Sequence, residues 1–151
     1  MGERLTLLLN RNSRRASEAG DQVRDLLAAA GFDVEVLAPD AAEAVSGALL
    51  ERGAHAGRIV IAGGDGTLNH AAPALQALEV PVGLVPLGTA NDLARTLGIP
   101  EELQAAVAVA AGSRLRAVDL GSVNGRPYFN VASFGLGTDV TRALTARTKG
   151  L

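Results

Sequence analysis

A chain of 151 residues with 48% hydrophobic side chains is long enough for one packed domain, or one domain and part of a second. Its formal charge of −2 lacks the basic surplus of a nucleic-acid binder, and its lack of cysteine excludes disulfides, thiolate metal sites and cysteine nucleophiles. Aromatic residues make up only 3%, so the core must be built from Ala, Val, Leu and Ile.

Arg4–Leu9 is an apolar run that ends at Asn10 and reads as a strand. Ser17–Ala30 places Val23, Leu26, Leu27 and Ala30 on one helical face, with Gly31 as its stop. Asp33–Leu37 alternates polar and apolar residues as a second strand does. Asp40, three residues before Glu43, predicts a capping-box start for a helix running through about Arg52. Ile59–Ala62 is rich in β-branched residues and predicts a buried strand that leads straight into Gly63-Gly64-Asp65-Gly66-Thr67. A helix over Leu68–Leu78 follows, which Pro73 is expected to kink or shorten. Pro81–Val85 predicts a further strand, Asn91–Leu97 a helix, and Pro100–Ala111 another with proline in its first position.

This alternation predicts an α/β fold, a Rossmann-like parallel sheet with helices on both faces. Ligands of such folds bind beyond the carboxyl ends of the strands. Three loops belong at that edge: Asn10–Arg15, Gly63–Thr67 and Pro86–Asp92. The pattern changes near Ala117. Ala117–Val123 and Arg126–Ser133 flank Asn124-Gly125, a strong hairpin signal, and Thr138–Lys149 patterns as a helix. The expected organisation is an α/β nucleotide-binding domain over 1–115 and the start of a β-rich second domain over 116–151, the chain being a fragment. Met1–Leu9 carries no signal-peptide pattern and no apolar run approaches the ~20 residues that span a bilayer, so a cytoplasmic location is expected.

A glycine-rich turn between a strand and a helix can aim backbone N–H groups at a phosphate. A bare carboxylate would repel that phosphate, so Asp65 points to a metal–phosphate or proton-transfer role. The Walker A pattern is absent, and a GxGxxG pattern that begins at Gly64 fails at Asn69. Taken alone, Gly63–Thr67 is also readable as a tight turn. Pro86–Asp92 weakens that reading, because it too joins a strand to a helix; Thr89 offers a hydroxyl there, and Asn91 or Asp92 a helix cap. His55 and His70 have no partner at metal-ligand spacing, and Ser133 has no triad partner at a recognisable spacing. Asp119 beside Gly121 reads as readily as a hairpin residue as a functional one.

With both loops in view, the chain resembles the diacylglycerol-kinase catalytic domain family, and among its members the bacterial lipid kinases of the YegS type. The resemblance rests on Gly63-Gly64-Asp65-Gly66-Thr67-Leu68-Asn69 and on Pro86-Leu87-Gly88-Thr89-Ala90-Asn91-Asp92-Leu93-Ala94-Arg95. Val118-Asp119-Leu120-Gly121 and the run Phe129–Gly137 add to it. It implies transfer of phosphate from ATP, with Mg²⁺, to a lipid hydroxyl such as that of diacylglycerol or phosphatidylglycerol, at the membrane surface, as a peripheral protein of its inner face. It further implies that Gly64 to His70 line the ATP phosphates, that Thr89 adds a contact and that Asn10 matches the family's first-loop asparagine. The residues expected at the nucleotide are therefore Asn10, Gly63, Gly64, Asp65, Gly66, Thr67, Leu68, Asn69, His70, Gly88, Thr89, Asn91 and Asp92. Asp65 is the catalytic candidate within the chain, through Mg²⁺ or through the acceptor hydroxyl; the family's main base and acidic metal site would lie beyond Leu151. On that basis residues 1–151 alone bind ATP weakly and phosphorylate nothing efficiently.

Three positions depart from the family pattern: Asn10-Arg11 where Asn-Pro is usual, Ala38-Pro39 where a threonine commonly ends the second strand, and His70 where glutamate is usual. An NAD kinase-like enzyme and a nucleotide-binding module without chemistry are the competing readings. The first shares the glycine loop but not the long Pro86–Arg95 motif.

Overall fold

The computed structural model describes residues 2–12 and 14–130. The described elements are β1 Arg4–Leu9, α1 Arg14–Ala29, β2 Asp33–Leu37, α2 Val45–Arg52, β3 Arg58–Gly63, α3 Asp65–Leu78, β4 Val82–Pro86, α4 Asp92–Thr96, α5 Leu103–Ala111, β5 Gly121–Val123 and β6 Arg126–Tyr128. Short 3₁₀ turns at Ala42–Ala44 and Gly53–His55 flank α2.

β1 to β4 form one parallel sheet in the order β2-β1-β3-β4. β1 and β3 occupy its centre. Leu5, Leu7, Leu8 and Leu9 of β1 and Ile59, Val60, Ile61 and Ala62 of β3 are all buried. A strand covered on both faces needs apolar residues at successive positions, which explains the run in β3 and the near-continuous one in β1, where buried Thr6 is the exception. β2, at the edge, keeps an alternating pattern.

Helices cover both faces, as the sequence predicts. Leu5, Leu7 and Leu9 pack with Val23 and Leu27 of α1 and with Ala106, Val107 and Ala110 of α5. Leu8, Ile59 and Ile61 pack on the opposite face with Leu49 of α2 and Ala71 and Leu75 of α3. The chain moves from β1 outward to β2, then returns across β1 to β3. The strand order therefore reverses between β1 and β3, and a crevice opens beyond their carboxyl ends. Asn10 follows β1 at this point, and Gly63-Gly64 closes β3.

Four local expectations are corrected. The Asp40–Glu43 capping box does not form: Glu43 lies in a 3₁₀ turn, and α2 starts at Val45 without a side-chain cap. The turn satisfies its own backbone instead, through Ala44 N–H to Ala41 O at 3.1 Å and Val45 N–H to Ala42 O. α3 begins at Asp65, three residues earlier than predicted, and continues through Pro73 to Leu78. Proline removes the N–H that would bond the Asn69 carbonyl, but buried Ala71, Ala72, Ala74 and Leu75 hold the helix on either side. α5 begins at Leu103, because the Glu102 carboxylate accepts from Gln104 N–H at 3.0 Å and Ala105 N–H at 2.7 Å. Pro100 precedes that cap and is not the first helical residue.

The hairpin forms with Gly121 opposite Tyr128 and Val123 opposite Arg126. Asn124 and Gly125 both have positive φ, at 49° and 76°, as a two-residue type I′ turn requires. Its strands are three residues each, shorter than predicted. The expected strand residues 131–133 and the helix over 138–149 lie outside the described residues.

The two-sided core gives a direct expectation. Leu7, fully buried on β1 between α1 and α5, should cost about 2–5 kcal/mol on truncation to alanine. Urea unfolding of Leu7→Ala measures this, and a loss below about 1 kcal/mol would contradict the burial.

Candidate functional site

Three loops meet at the carboxyl ends of β1, β3 and β4. Gly63 pairs with Pro86 in the sheet, and Leu87 N–H donates to Gly63 O at 3.0 Å, so the two glycine-containing loops leave the sheet side by side. They then touch. A Cβ built on Gly64 would lie 3.0 Å from the Gly88 Cα, and one on Gly88 would lie 2.5 Å from the Gly64 Cα and 2.9 Å from Asn91 Oδ1. Only glycine at both positions permits this approach.

α3 starts at the seam. Its N-cap is Gly64, in extended conformation, with no side-chain hydrogen bond. The first helical bond runs from Leu68 N–H to Gly64 O at 3.2 Å, so the N–H groups of Asp65, Gly66 and Thr67 have no helical acceptor. These three donors stand at the positive end of a 14-residue helix, where an anion is favoured. A Cβ on Gly66 would meet nothing within 4 Å, so the space beside Gly66 is open.

The Asp65 side chain turns to α4. Its Oδ2 accepts from Asp92 N–H at 3.0 Å and its Oδ1 from Leu93 N–H at 3.4 Å. Asn130 Nδ2 also donates to Oδ1 at 3.4 Å. Asp65 therefore caps a helix that lies 27 residues further along the chain. The cap predicted from Asn91 or Asp92 is not what starts α4. Asn91 is left-handed, at φ 52°, and buried; its Oδ1 accepts from Gly88 N–H and its Nδ2 donates to Gly88 O, both at 2.9 Å. It closes its own loop and leaves the α4 amides to Asp65.

The other wall is formed by β1 and the β2–α2 loop. Asn10 Oδ1 accepts from Asn12 N–H at 3.2 Å, and its Nδ2 donates to Thr67 Oγ1 at 3.4 Å. Between these walls runs a half-open cleft of about 230 Å³. Asn10, Pro39, Asp40, Gly66, Thr67 and His70 are among the residues that line it. His70 is exposed, and its backbone carbonyl accepts from Ser46 Oγ at 2.7 Å.

The predicted site residues thus divide into three groups. Asn10, Gly66, Thr67 and His70 share the cleft. Gly63, Gly64, Asp65 and Asn91 form the packed seam between the loops, with Gly88, Thr89 and Asp92 exposed along it. Leu68 and Asn69 lie outside the cleft, Leu68 beneath the seam. Leu68 is buried in the core, and its N–H is taken by Gly64 O. Asn69 Oδ1 accepts from Phe129 N–H at 2.8 Å. Pro39 and Asp40, not among the predicted site residues, also line this cleft, because β2 lies next to β1. A larger apolar groove, about 640 Å³, follows the outer edge of β4, but of the predicted site residues it includes only Leu68.

Among the described residues no three His, Asp or Glu side chains converge as a metal site would require. The residues described do not by themselves complete a cation site.

A family model for the diacylglycerol kinase catalytic domain matches residues 4–123. A Pseudomonas fluorescens protein named "Probable lipid kinase YegS-like" is 39% identical over 146 residues, which cover 93% of this chain and 48% of that protein. A Yersinia pestis protein of the same name is 43% identical over 88 residues, covering 55% of this chain and 30% of that one. A crystal structure of a diacylglycerol kinase from Bacillus anthracis str. Sterne shares the fold, with TM-score 0.72 and 24% identity over 94% of this chain and 52% of that one. Another chain from the same strain superposes with TM-score 0.75 and 28% identity, covering 85% and 47%. The chain spans about half the length of the relatives it matches across most of its own length.

Two substitutions test the seam. Gly88→Ala should destabilise the fold by about 1–3 kcal/mol through overpacking, seen as a lowered unfolding midpoint. Asp65→Ala should speed amide exchange at Asp92 and Leu93 and cost about 0.5–2 kcal/mol, the range for a lost helix cap. Unchanged exchange at both amides would remove the capping role.

Proposed function

Since the chain belongs to the diacylglycerol kinase catalytic domain family, we propose that it is the nucleotide-binding part of an ATP-dependent lipid kinase. The observation that carries this reading is the start of α3. It has three N–H groups without helical acceptors, a carboxylate directed away to α4, and open space over Gly66. A polyphosphate is the ligand such a helix end favours.

In this reading the phosphates lie on Asp65, Gly66 and Thr67 N–H, and the rest of the nucleotide extends along the cleft toward Pro39 and Asp40. A volume of about 230 Å³ is below the ~300–1,000 Å³ of full ligand pockets, so the cleft takes part of the nucleotide and leaves part in solvent. Asn10 holds the Thr67 hydroxyl, and Thr89 reaches the phosphates from the second loop. Gly63, Gly64, Gly88, Asn91 and Asp92 act through the packing of the two loops. His70 contributes at the cleft wall, where its imidazole can donate to the nucleotide.

Phosphoryl transfer depends on positioning and on charge neutralisation more than on covalent chemistry by the protein. The lipid hydroxyl oxygen attacks the γ-phosphorus, the bond to the ADP oxygen breaks, and the hydroxyl proton passes to a base. We place that base outside residues 1–151, together with the ligands that complete a Mg²⁺ site. Bound Mg²⁺ supplies neutralisation of the phosphate charge. Asp65 contributes by fixing α4 and the second loop against the first. The acceptor is a lipid such as diacylglycerol or phosphatidylglycerol, met at the membrane surface, and the division at residues 115/116 separates the nucleotide domain from the lipid-binding one. Among the described residues no helix is long and apolar enough to cross a membrane, which suits peripheral contact.

Gly66→Ala tests this reading. The added methyl meets no protein atom, and alanine is the better helix former, so stability should hold or rise. ATP affinity should fall by about tenfold, a change of about 1.4 kcal/mol, in isothermal titration with Mg²⁺ present. Phosphorylation of diacylglycerol by the full-length protein should fall with it. Unchanged affinity, or phosphate transfer to NAD in preference to lipid, would sink the proposal.

A further inference from the structure

Asn69 stands one turn beyond Asp65 on α3, and residues four apart share a helical face. Both side chains take hold of the same dipeptide. Asn69 Oδ1 accepts from Phe129 N–H at 2.8 Å, and Asp65 Oδ1 accepts from Asn130 Nδ2 at 3.4 Å. Phe129 and Asn130 directly follow β6, the last strand of the hairpin. The Phe129 ring packs against the core cluster beneath α3, and Asn130 is in the left-handed region, with φ 69°. A backbone amide, an aromatic ring and a side-chain amide are therefore all fixed to α3 within two residues.

Asn69 does not line the cleft that holds Asn10, Gly66, Thr67 and His70. It is partly buried, and its acceptor oxygen is already used by a short, well-placed bond. An amide that contacted a phosphate would present its N–H₂ to the ligand from the cleft side.

We infer that Asn69 is a positioning residue, which fastens the exit of the hairpin to the helix that carries the phosphate-binding amides, and is not a nucleotide contact. The latch sets where the chain beyond residue 130 begins relative to the nucleotide. It would let α3 transmit nucleotide binding to that following segment, because the same helix bears both ends of the connection. The consequence for phosphate transfer rests on the kinase reading above; the latch itself does not.

The test compares Asn69→Asp, which keeps the acceptor oxygen, with Asn69→Leu, which keeps the volume and removes it. In Asn69→Leu the Phe129 amide should exchange at least tenfold faster, while ATP affinity stays within about twofold. In the full-length protein kcat for lipid phosphorylation should fall at least tenfold with little change in KM for ATP. Asn69→Asp should restore slow exchange and most of kcat. A nucleotide contact predicts the reverse: both variants would lose ATP affinity, Asn69→Asp the more severely, because its new charge would face phosphate. That result, or Phe129 exchange unchanged in Asn69→Leu, overturns the inference. If Asn69→Leu fails to fold, the ATP affinity of Asn69→Asp alone decides, being retained for a latch and lost for a contact. If the wild-type protein binds no ATP, the kinase reading fails and the exchange rates still judge the latch.

Discussion

The site is organised by where one negative charge points. Asp65 is the first residue of α3, and an unpaired carboxylate there would oppose any phosphate arriving at the same helix end. Its two oxygens instead take the Asp92 and Leu93 amides of α4. A carboxylate bonded to N–H groups at a helix start is held by both the hydrogen bonds and the helix dipole. The amides of Asp65, Gly66 and Thr67 are left without a helical acceptor, beside open space at Gly66. The second loop is located by the same bonds. With α4 capped from outside, Asn91 is free to close the Gly88 turn, and the Gly64 and Gly88 backbones come into contact.

The layers around this seam are thin because small residues build them. α5 lies against β4 so closely that a Cβ on Gly83 would sit 2.7 Å from the Ala110 Cβ. On the opposite face Ala71 and Ala74 of α3 meet the sheet with almost no exposure. Close approach compensates for the scarcity of aromatic residues, because dispersion contacts depend on short distances more than on large side chains. It also leaves little slack. Helices that pack by backbone-near contact keep the strand ends, and with them the loops, in fixed relation.

Much of this was legible in the residues. The apolar run Ile59–Ala62 predicts a buried strand, and the alternation of strand and helix predicts the parallel sheet. Asn124-Gly125 gave the hairpin, since few dipeptides tolerate two positive φ angles. The glycine loops marked where the chain leaves β3 and β4 side by side. What escaped were interactions between residues far apart in the chain. Asp65 looked like a chemical group because nothing near it in sequence accounts for a carboxylate. Its partners lie 27 residues and more away. Asn69 looked like part of a phosphate motif, and its partner Phe129 is 60 residues distant. Helix starts were misplaced for a related reason. Local patterns such as Asp40–Glu43 compete with backbone turns and with other caps, and spacing alone does not rank them.

α4 has only five residues, too few to persist as a helix in water. Its cap belongs to α3, and the strand before it, β4, pairs with β3. Within Pro86–Thr96 the local order is the Gly88–Asn91 turn. The segment's place in the fold depends on β3 and on the first turn of α3. The second loop is thus braced on the first, and the half of the candidate site that carries Thr89 depends for its placement on the half that carries Asp65.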